Sequence, residues 1–81
     1  MIIPADHPAL AGHFPGQPIV PGVLLLERVL QMAGSGPVRL PSVKFHAPLR
    51  PGEEFEIHIE KNRFSVRAGK RLIASGSFGF A

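Results

Sequence analysis

The chain has 81 residues, no cysteine, and nine Lys/Arg against six Asp/Glu for a formal net charge of +3. That length leaves room for one domain, residues 1–81. The missing cysteine excludes a disulfide framework and any thiolate nucleophile or metal ligand. Without such staples a core this small is marginal alone, so a homodimer is the first expectation. The basic residues are dispersed and there is no Tyr or Trp to stack on bases, which argues against nucleic acid. No apolar run approaches the ~20 residues of a membrane span. The N-terminus has no charged start followed by a long apolar stretch, so a cytoplasmic protein is expected.

In chain order, Met1–Ile3 is a short apolar run that fits a brief edge strand. From Pro4 to Pro21 the chain is rich in Pro and Gly and reads as an ordered loop. Pro21 presets the entry to a helix predicted over Gly22–Ala33, which Gly34, Gly36 and Pro37 end. Val23, Leu24, Leu25, Leu26, Val29, Leu30 and Met32 make that helix apolar almost all round, the pattern of a helix buried on every side.

Everything after it reads as strand. "VRLPSVKFHAPL" is one strand interrupted or started near Pro41, and "RPGEE" is a turn. "FEIHIE" alternates, with Phe55, Ile57 and Ile59 on one face. A turn at Lys61-Asn62 would pair Glu60 with Arg63, Ile59 with Phe64, Ile57 with Val66 and Glu56 with Arg67, so that like meets like and opposite charges meet. A second turn around Ala68–Lys70 leads to a last strand with Leu72, Ala74, Gly76, Phe78 and Phe80 inward, or slipped from that by one residue. The expected architecture is α+β, a curved antiparallel sheet around one central helix.

Two residues carry possible chemistry. Glu27 lies among Val23, Leu24, Leu30 and Gln31 on the helix, where an unpaired carboxylate costs several kcal/mol. Alone, it could equally reach the surface or pair with an arginine. His13, in "GHFPG", is a side chain suited to proton exchange near neutral pH, but a loop histidine is more often structural. His7, His46 and His58 have no metal-ligand spacing with an acid or thiolate, and alternation sends His58 outward beside Glu56 and Glu60.

Taken together, "GHFPGQPIVPGVLLLERVLQ" resembles the signature of the β-hydroxyacyl-acyl carrier protein dehydratases of the hot-dog fold, GHFPGxPxxPGVxxxEAxxQ. "KFHAPLRPGEE" and "LIASGSF" are similar to later strands of that family, and Arg28 stands where its pattern has a small residue. The resemblance implies that His13 takes the α-proton of a 3-hydroxyacyl thioester and that Glu27, kept protonated by apolar surroundings, delivers a proton to the departing hydroxyl. It implies that the backbone N–H groups of Gly22 and Val23 bind the thioester carbonyl. Phe14, Pro15, Gly16 and Gln31 would shape the site. No metal or redox cofactor is required. His and Glu of one site would come from different subunits of a homodimer, or of a dimer of dimers.

The implied partner is an acyl carrier protein with a phosphopantetheine-linked chain, to which Lys44, Arg50 or Arg28 could dock. The rival readings are a hot-dog thioesterase using Glu27 to activate water, and a non-catalytic acyl- or partner-binding domain. Fatty acid, polyketide, polyene pigment and lipid-decorating pathways all remain open.

Overall fold

A computed structural model describes residues 1–4, 19–34 and 39–79. Among these residues, one helix, α1 (Gly22–Ala33), is followed by strands β1 (Arg39–Phe45), β2 (Glu56–Glu60), β3 (Arg63–Ala68) and β4 (Arg71–Gly79). The strands form an antiparallel sheet in the order β1-β4-β3-β2. This is the expected α+β arrangement of helix against sheet.

The β2–β3 hairpin has the register its alternation predicts: Glu56↔Arg67, Ile57↔Val66, Ile59↔Phe64 and Glu60↔Arg63. Ile57, Phe64 and Val66 are buried as a result, and Glu56 and His58 face outward. Gly69, at φ 59°, makes the β3–β4 turn in a conformation that penalises a side chain. Met1–Ile3 runs beside the segment leading into β2. Phe55 N–H donates to the Met1 carbonyl at 2.8 Å and Gly52 N–H to the Ile3 carbonyl at 2.7 Å, and Ile3 is buried.

Pro41 sits inside β1, where a proline cannot donate to a ladder. β1 tolerates it as an edge strand whose register against β4 shifts between Arg39 and Ser42. The strand stops at Phe45 instead of running on to Leu49. The chain leaves the sheet there, and Leu49, buried, accepts a hydrogen bond from Val20 N–H at 2.7 Å.

Two further expectations are corrected. Leu72 is only half-buried, and Ile73 occupies the core in its place. A bulge causes this: β3 advances one residue from Val66 to Arg67 while β4 passes from Ala74 to Leu72, leaving Ile73 as the extra residue. The Ile73 carbonyl then accepts from both His46 N–H and Ala47 N–H. Beyond the bulge, Ala74 and Phe78 point inward as expected, and Phe80 lies outside the described residues.

Nor is α1 buried on every side. Leu24, Leu25 and Val29 enter the core with Phe55, Ile57, Phe64, Ile73 and Phe78, whereas Val23 is 61% and Met32 47% exposed. A single sheet covers only one side of a helix.

Candidate active site

Helix α1 starts without a side-chain cap. Pro21, with φ −59° and ψ 140°, precedes it, and Leu24 N–H donates to the Pro21 carbonyl at 3.1 Å. The amides of Gly22 and Val23 lie in the first turn, where N–H groups have no partner within the helix and the dipole favours negative charge.

That helix end opens onto an apolar cleft of about 390 Å³. Ile19, Gly22, Leu25, Phe45, Ala47 and Pro48 are among the residues that line it. The Phe45 ring lies over Gly22, and a Cβ on Gly22 would stand 2.5 Å from Phe45 Cζ, so only glycine fits there as the ring is placed. His46 also borders the cleft, its Nε2 2.8 Å from Ser75 Oγ. The lining at Pro48 is tied down. Arg71 Nη2 donates to the Pro48 carbonyl at 3.3 Å and to both Glu53 carboxylate oxygens at 2.8 Å.

Gly22 is therefore at the cleft, with Val23 next in the chain. Glu27 is not in this cleft. Two residues on from Leu25, it is turned about 200° around the helix axis. It is exposed, in a row with Val23 and Gln31, which are also exposed. The apolar surroundings expected for its carboxyl are therefore not supplied by the rest of this chain's described residues. His13, Phe14, Pro15 and Gly16 lie outside the described residues. Among the charged residues considered for docking, Lys44 and Arg50 are exposed and Arg28 is half-buried.

Sequence reading missed Phe45, His46, Glu53 and Arg71. Pattern alone does not mark Phe45: it carries the strand on to Leu49, and the pairing with Ala74 exists only in the folded sheet. Among the described residues no cluster of His, Asp and Glu could hold a metal ion, and no helix is long and apolar enough to cross a membrane.

The sequence model of a family described as ApeI-like, ApeI dehydratase, matches residues 1–77. Similar proteins include the 3-hydroxyacyl-[acyl-carrier-protein] dehydratase FabZ of Gluconacetobacter diazotrophicus, 34% identical over 83 residues, covering 84% of this chain and 52% of the relative. The FabZ of Rhizobium rhizogenes is 35% identical over 74 residues, covering 75% and 47%. That of Chlamydia trachomatis serovar L2 is 30% identical over 99 residues, covering 93% and 65%. The chain thus spans about half to two-thirds of the length of these relatives. No solved structure matches. A family match running from the first residue through nearly all of β4 leaves one conclusion: the chain belongs to the ApeI-like dehydratase family.

Proposed function

We propose that the chain dehydrates 3-hydroxyacyl thioesters to trans-2-enoyl thioesters, with the acyl group carried on the phosphopantetheine arm of an acyl carrier protein in the cytoplasm. In this reading the His13 imidazole removes a proton from the α-carbon. The C–O bond at the β-carbon breaks, and Glu27, protonated, gives its proton to the departing hydroxyl, which leaves as water. His13 then releases the proton it gained, and Glu27 takes one up, by exchange with solvent. Gly22 and Val23 N–H groups hold the thioester oxygen as it becomes negative, a contribution of about 10²–10³-fold for one such donor.

The observation that carries the reading is the position of Glu27. It faces away from the cleft of its own chain, as an acid must if it serves the cleft of a second copy. The exposed edge strand β1 and the exposed Val23 and Met32 offer surface for that copy. A homodimer with shared sites would bury the carboxyl among apolar groups, where its neutral form is favoured. Family membership and the His13–Glu27 signature support the same chemistry.

The test is to incubate the protein with a 3-hydroxyacyl thioester of an acyl carrier protein and follow product mass. Loss of water is expected. Release of free acid would make the protein a thioesterase, and an unchanged substrate would make it a binding domain.

A further inference from the structure

We infer that Phe45 sets which acyl groups fit the cleft, by closing the end where the carbonyl would sit. The inference rests on the cleft being the acyl seat of the proposed function. The Phe45 ring is packed against the start of α1 so closely that a Gly22 Cβ would lie 2.5, 2.8 and 3.2 Å from its Cζ, Cε1 and Cε2. Yet the residue is 54% exposed, while also lining the cleft. One side of the ring is held by the helix and much of the rest is open.

An acyl carbonyl drawn to the Gly22 and Val23 amides places its α- and β-carbons beside this ring. A straight chain can pass a flat ring edge, whereas a substituent on the α-carbon meets it. The ring is also held from behind in the chain. His46 and Ala47, the next two residues, both donate to the Ile73 carbonyl at the bulge, at 2.8 and 3.3 Å. The wall therefore stands on an anchored strand end instead of a free loop. Steric exclusion of this kind discriminates by about 10–200-fold for one methylene-sized group.

Binding, which needs no turnover, tests the inference. The probes are hexanoyl pantetheine and its α-methyl-branched counterpart, both saturated, titrated calorimetrically into wild-type protein, Phe45→Leu and Phe45→Ala. Wild type should prefer the straight chain. Phe45→Ala should raise the branched-to-straight affinity ratio about tenfold or more, with Phe45→Leu between. Gly22→Ala should weaken both probes by pushing the ring into the cleft, and Gly22→Ala/Phe45→Ala should recover them.

A ratio unchanged within about twofold in a folded Phe45→Ala protein, or an equal loss of both probes, would overturn the inference. So would a wild type that binds neither probe. If Phe45→Ala does not fold, Phe45→Leu and Phe45→Met decide by the same ratio. Failure of wild type to remove water from a 3-hydroxyacyl thioester would sink the dehydration reading alone and leave these ratios standing.

Discussion

Arg71 and Glu53 form a two-pronged contact, Nη2 lying 2.8 Å from each carboxylate oxygen, and it joins the start of β4 to the turn before β2. Glu53 Oε1 also accepts from Arg50 N–H at 3.2 Å. That backbone hydrogen bond, then the Arg71 hydrogen bond and charge, hold the Glu53 carboxyl below the ordinary glutamate value of 4.5. A lowered folded value means the ionised form is favoured by folding. Its stabilisation is present above pH 4.5 and is lost as pH falls through the lowered value. Both side chains are partly exposed, so the contribution at neutral pH is under about 1 kcal/mol. Thermal melts between neutral pH and pH 3 should show a smaller acid-induced loss in Glu53→Gln than in wild type. Parallel curves would remove the pair from the account of acid stability.

A site shared between two copies, as proposed, predicts complementation. His13→Ala and Glu27→Ala should each lose about 10²–10⁴-fold in dehydration. Refolded together, they should recover on the order of a quarter of wild-type activity, because half the dimers are mixed and half of their sites are intact. No recovery from a mixture shown to contain mixed dimers would place both groups of a site on one chain.

Core placement at the bulge predicts unequal costs for neighbouring residues. Ile73 is 1% exposed and Leu72 half-buried, so Ile73→Ala should cost about 2–5 kcal/mol in urea unfolding. Leu72→Ala should cost clearly less. The opposite ranking would mean that the strand has slipped by one residue.

Gly76 faces the Phe64 ring on the inner side of the sheet. A Cβ there would lie 2.7 Å from Phe64 Cζ and collide with the Ser42 carbonyl oxygen on β1. Gly76→Ala should therefore destabilise by about 1–3 kcal/mol or more, a backbone oxygen being unable to move aside. Chemical denaturation reads this directly.

Lys61, in the β2–β3 turn, has φ 56°, a left-handed conformation that costs a side-chain-bearing residue about 1–2 kcal/mol. Lys61→Gly relieves this at the expense of a more flexible unfolded chain. A net gain of about 0.5–1 kcal/mol is expected. A loss would show that the lysine side chain makes a compensating contact.

Local pattern was enough for much of the fold. The bounds of α1 followed from Pro21 before it and Gly34 after it, and the β2–β3 register from alternation plus facing charges. These depend on residues near one another in the chain. The bulge at Ile73 could not be read this way. It is set by how β4 pairs with β3 while its Ile73 carbonyl also receives His46 and Ala47 from beyond β1. For the site, the sequence offers His13 and Glu27 as candidates for acid–base work, but not their geometry.

By itself, then, the sequence determined the elements, the hairpin pairing and the residue types available for acid–base work, because periodicity, breakers and charge act over a few residues. Tertiary structure alone decided that Glu27 faces away from its own cleft, that Phe45 rests on Gly22, and that Arg71 clasps Glu53. Each of these is a contact, or the lack of one, between surfaces brought together only when helix and sheet pack. An apolar helix sequence does not say which of its sides the sheet will cover.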